Sequence, residues 1–68
     1  MSLLDLLLIL ADDQMVALVE EGNAEPDYVG AAGEIYDLLS YQCCIISHHI
    51  TFEKGILCIE YVRLCGFV

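Results

Sequence analysis

The chain has 68 residues, of which 59% are hydrophobic, and its eleven acids against two bases give a formal net charge of -9. One small domain spanning residues 1–68 is all that this length allows, and a mean hydropathy of +0.69 excludes intrinsic disorder, which needs low hydrophobicity together with high charge. The scarcity of Lys and Arg also excludes an ordinary phosphate-backbone binder, whose affinity comes from clustered cations.

In chain order, a helix comes first. Ser2 precedes Asp5 in the spacing of a capping box, and Leu3, Leu6, Leu7 and Leu10 then fall on one helical stripe that faces the core. Leu4, Leu8 and Ala11 make a second stripe, with Ile9 beside it. A helix that is apolar nearly all round has to be covered on more than one side, so Leu4, Leu8 and Ile9 are the expected interface of a homodimer or higher oligomer. Asp12 and Asp13 end the helix, and residues 14–21 alternate as a strand. Turn-forming residues from Gly22 to Asp27 then return the chain as a second, antiparallel strand over Tyr28 to Ala32.

Gly33 breaks the strand pattern. Ile35, Leu38 and Leu39 repeat at helical spacing through about Tyr41, which predicts a short second helix. Cys43 to Thr51 reads as a third strand, Glu53-Lys54-Gly55 as a turn, and Ile56 to Arg63 as a fourth strand that is apolar on both faces. The expected fold is α+β in the order αββαββ, with a small antiparallel sheet or partly closed barrel packed by the first helix.

Residues bearing on chemistry are few. His48-His49 beside Cys43 and Cys44 is the one group of candidate metal ligands, but it lacks C-x-x-C or H-x-x-x-H spacing, and adjacent strand residues point to opposite faces. No catalytic triad, phosphate loop or metal motif is present, so a non-enzymatic protein with no cofactor and no metal is expected. The four cysteines, Cys43, Cys44, Cys58 and Cys65, read as reduced thiols, because no basic segment precedes the Leu6 to Ala11 run as a secretory signal requires. That run is also far short of a membrane span. The expected setting is a cytosol.

Nine acids and no bases lie in residues 1–37, whereas residues 38–68 carry two of each. Asp12, Asp13, Glu20, Glu21, Glu25 and Asp27 cluster around the ends of the first helix and strand and in the hairpin loop. They do not alternate as a calcium loop demands. A solvated face that keeps a greasy chain soluble is one reading; a surface that competes with nucleic acid for a basic groove on a partner is the sharper one. Ile56-x-Cys58-x-Glu60 is a degenerate form of the L-x-C-x-E motif that binds retinoblastoma-type pocket proteins, set in what reads as a core strand.

The order of features also resembles a class of very short proteins encoded by phages, prophages and other mobile elements of Firmicutes. The segments SLLDLLLILADDQMVALVEE, YVGAAGEIYDLL, YQCCIIS and GILCIEYV carry it, through residues such as Asp12, Asp13, Val16, Leu18, Tyr28, Gly30, Asp37, Ile59 and Glu60. Some small acidic phage proteins of this size inhibit bacterial immunity, anti-CRISPR proteins among them. The resemblance implies a viral, anti-defence inhibitor, acting in a bacterial host cell by binding a host defence protein with a basic surface, without direct nucleic-acid binding. Two other functions stay open: a sponge for a nucleotide immune signal, held between subunits, and a structural module that self-assembles.

Overall fold

The computed structural model describes residues 2–64, and of His48 and His49 only the backbone. Helix α1 (Leu3–Ile9) is started by Ser2, whose hydroxyl accepts from the Asp5 N–H at 3.2 Å, the interaction that the capping-box spacing predicts. Leu3 and Leu7 are buried, with Leu6 and Leu10 packed against the same core, so the first leucine stripe faces inward as expected. Leu8 and Ile9, from the rest of the helix surface, remain 63% and 72% exposed, and Leu4 is half-buried.

Four strands follow: β1 (Met15–Glu20), β2 (Tyr28–Ala31), β3 (Cys44–Glu53) and β4 (Ile56–Arg63). They form one open sheet in the order β2-β1-β4-β3. The architecture is α+β, with a helix on one face of the sheet. Two hairpins supply it: β1 with β2, and β3 with β4, each antiparallel. The β3–β4 hairpin turns on two residues, Lys54 (φ 55) and Gly55 (φ 81). Positive φ at both central positions is the type I′ geometry that matches strand twist, and Gly at the second position adopts it without strain.

Two expectations need correction. The sheet is neither wholly antiparallel nor a partly closed barrel, because β1 and β4 pair in parallel, from Met15↔Ile56 to Glu20↔Tyr61. The physical reason lies in their side chains: β1 and β4 are the strands most apolar on both faces, and such strands gain most from central positions flanked on either side. Joining the hairpins through their greasiest strands places β1 and β4 side by side. The second helix is likewise not an α-helix. Residues 32–41 instead contain two separate 3-10 turns, Ala32–Glu34 and Leu38–Tyr41, with extended backbone at Ile35 between them. The N–H groups of Ala32 and Gly33 bond the carbonyls of Gln14 and Asp12 at 2.8 and 2.9 Å, which ties the start of this segment to the sheet edge instead of to a helix. The eight residues that remain, 34–41, are too few to nucleate a helix unaided, and unlike α1 their turn has no side-chain cap. At Gly33 the backbone comes so close to Asp12 that an added Cβ would sit 2.7 Å from the Asp12 Cβ, so the contact requires glycine.

The core lies between α1 and one face of the sheet. Val16 and Leu18 of β1 meet Ile59 and Tyr61 of β4, and all four side chains are fully buried. Cys44 and Tyr41 close the end of this cluster nearest the β1–β2 loop.

Candidate functional site

The β1–β2 hairpin carries most of the predicted acidic site. Residues 21–27 form its loop, which starts with Glu21 donating its N–H to the Tyr61 carbonyl at 2.7 Å and closes with Asp27 donating to the Leu18 carbonyl at 2.8 Å. Gly22, at φ 96, takes the left-handed turn between them.

Asp27 anchors this loop. Its Oδ2 accepts the Tyr61 hydroxyl at 2.7 Å and the Tyr41 hydroxyl at 3.1 Å. The two rings pack edge to face, with centroids 5.6 Å apart and an interplanar angle of 87°. Arg63 lies over the Tyr61 ring at 5.9 Å and donates from Nη1 to the Ser40 carbonyl at 2.8 Å, so the guanidinium joins β4 to the Leu38–Tyr41 turn. Three separate parts of the chain, the β1–β2 loop, the Leu38–Tyr41 turn and β4, thus meet at one carboxylate.

The electrostatics of the cluster fix its role. Burial foremost, then the charge of Asp27 and its hydrogen bond, pushes the Tyr41 hydroxyl up to about 12. Tyr61 is raised further, again by burial first and then by its hydrogen bond to Asp27. Phenols that hold their protons this firmly serve as hydrogen-bond donors at neutral pH, not as bases or nucleophiles. The cluster is a scaffold that ties the end of the loop at Asp27 to the core.

The six acids singled out in the sequence do not form one patch. Glu20, Glu21 and Glu25 stand at the loop end, with Glu20 half-buried and the other two exposed, and Asp27 is committed through one oxygen to the tyrosines. Asp12 and Asp13 lie at the opposite end of β1, beside Gly33. The six residues of β1 separate the two groups by roughly 20 Å. Sequence reasoning missed Tyr41, Tyr61 and Arg63. The available signal was an inward-facing tyrosine on a core strand, which needs a partner for its hydroxyl in a chain rich in carboxylates.

Other candidates are placed as follows. Among the described residues, no three His, Cys, Asp or Glu side chains gather as a metal site. The His48 and His49 side chains, and Cys65, lie outside the described residues. Cys44 is buried in the core, and Cys58 is half-buried on the opposite face of the sheet. The Ile56-x-Cys58-x-Glu60 motif sits in β4, which is paired on both edges and so cannot be offered as an extended peptide. A shallow hollow of about 200 Å³ opens on the sheet face away from α1, lined by Val19, Thr51, Cys58, Ile59 and Glu60. That is below the roughly 300 Å³ at which small-molecule pockets begin, and its one charged group is an acid that repels phosphate. No helix among the described residues is long and apolar enough to cross a membrane.

No family model, curated protein or solved structure matches this chain.

Proposed function

We propose that the protein is a non-enzymatic inhibitor of the phage type, which binds a host defence protein in the bacterial cytosol and occupies a basic surface that otherwise takes nucleic acid. The observation that carries this reading is the hairpin end, where Glu20 closes β1 and Glu21 and Glu25 stand on a loop whose last residue, Asp27, accepts hydrogen bonds from Tyr41 and Tyr61. Carboxylates on a loop anchored at both ends meet Arg and Lys with a reduced ordering cost. The resemblance to small phage proteins supports the anti-defence role. The nucleotide-sponge alternative needs a pocket between subunits, since the hollow lined by Val19, Thr51 and Cys58 on one chain is small and carries an acid, Glu60.

The test is affinity capture from host lysate with the full chain and with a variant carrying Glu20→Gln, Glu21→Gln and Glu25→Gln. Asp27 is left intact, because neutralising it would also loosen the loop. The expected result is a nucleic-acid-binding protein that the parent chain retains, that competing duplex or salt releases, and that the variant fails to hold. Equal retention by both chains across a salt titration would remove the acidic loop from the mechanism.

A further inference from the structure

Among the described residues, no helix or turn packs over the face of the sheet turned away from α1, where Met15, Val29 and Ile45 stay exposed and the small Ala17 lies buried between its neighbours. The register puts Met15, Ala17 and Val19 of β1 on this face beside Ile56, Cys58, Glu60 and Val62 of β4, with Val29 on the β2 side and Ile45, Thr51 and Glu53 on the β3 side. An antiparallel or mixed sheet with one solvated face normally alternates apolar with polar residues. Here the second face is nearly as apolar as the first. We propose that a second copy of this chain covers it, two sheets packing face to face about a two-fold axis. This proposal stands independently of the function proposed above.

Charge selects the occupant. Of the eleven acids, the strands place two on this face, Glu53 and Glu60, and both cations lie off it, Lys54 in the β3–β4 turn and Arg63 over the Tyr61 ring. Two chains of net charge -9 repel wherever their acid-bearing surfaces approach. This face is where copies approach with the fewest like charges in contact, and it offers a charged partner almost nothing to pair with. The surface of Leu8 and Ile9 is the poorer choice, since Asp5, Asp12 and Asp13 flank it in sequence.

Relief points the same way. The hollow lined by Val19, Thr51 and Cys58 lies on the same face as Val29, 55% exposed, and Ile45, 40% exposed. A two-fold axis lying in the plane of contact, midway between such a residue and the hollow, seats each protruding side chain in the other copy's hollow at once. Sandwiched sheets pack about 10 Å apart with interdigitated side chains in this manner.

The area sets the strength. Four strands at about 4.8 Å and six residues at about 3.3 Å give a face of roughly 400 Å², so two faces with their relief bury about 1,000 Å², the lower bound for a specific interface. The dimer is therefore expected to be weak and to depend on protein concentration.

Sedimentation equilibrium of the full chain, from about 10 μM to about 1 mM in reductant, tests it. The expected result is a concentration-dependent monomer–dimer equilibrium that Val29→Glu weakens at least tenfold and Leu8→Glu leaves unchanged. Val29 is on an edge strand and more than half exposed, so the variant should keep its fold, as circular dichroism would verify. Should Val29→Glu not fold, isotope-filtered NMR on the parent chain gives a second reading: intermolecular contacts among Val29, Ile56 and Val62 support the proposal, and contacts confined to Leu8 and Ile9 overturn it. A parent chain that stays monomeric up to about 1 mM overturns it as well.

Discussion

Strand β1 shows two faces of similar composition and opposite fate. Val16 and Leu18, turned toward α1, are fully buried, whereas Met15, turned the other way, keeps 39% of its surface exposed. Ala17, also on the second face, is small enough to be buried between its neighbours, so the contrast falls on the larger Met15; polarity does not alternate along the strand. The difference lies in what the chain has available as cover: one seven-residue helix and two short turns suffice for one face of a four-stranded sheet. A hydrophobic residue is therefore not a core residue until something is placed over it.

The contrast is sharpest under substitution. Leu18→Ala, on the covered face, should cost about 3 kcal/mol through lost burial and the cavity left behind, measured by urea unfolding of dilute protein. Removal of the hub that holds the covered side together comes next. Asp27→Ala takes the acceptor from two phenols and should cost roughly 2 kcal/mol, with faster amide exchange through residues 21–27 as its local signature.

The same hub predicts a response to alkali. Both phenols are harder to ionise in the folded chain than in the unfolded one, so their contribution is complete below pH 10 and is lost as the pH rises through about 12, the value for Tyr41. Stability should fall with rising pH over that window, and the part of the tyrosinate absorbance that Tyr41→Phe and Tyr61→Phe remove should appear together with loss of the fold. Absorbance that rises fully while the fold persists would place the phenols outside the core. The smallest effect belongs to the uncovered face. Met15→Gln should change monomer stability by no more than about 0.5 kcal/mol, and a loss comparable to that of Leu18→Ala would show that this face is already covered within one chain.

Local chemistry made much of this fold legible. The Ser2 cap, the inward leucine stripe, the acidic hairpin and the turn at Lys54-Gly55 all depend on neighbours within a few residues, and strand β4 runs from Ile56 to Arg63 as its pattern indicates. The parallel pairing of β1 with β4 was not legible, because it links residues some forty positions apart and depends on which edges the two hairpins share. The split of residues 32–41 into two turns was hidden for a related reason: the N–H groups of Ala32 and Gly33 are claimed by Asp12 and Gln14, far away in sequence. Within the candidate site, the acids could be named but not located. Asp27 looks like its neighbours in sequence, and only the tertiary approach of Tyr41 and Tyr61 gives it a different task.

The central parallel pair also governs the order of assembly during synthesis. Each hairpin can close early, since its strands are joined by a short loop, but α1 and β1 have no finished sheet to rest on until Ile59 and Tyr61 have been made. A nascent chain ending before β4 would display Val16 and Leu18 beside a strand edge with open hydrogen-bonding groups, the combination that invites pairing with other chains. Truncations anywhere in the second hairpin should accordingly yield sticky fragments instead of smaller folded ones, and one cooperative unfolding step should account for the whole sheet.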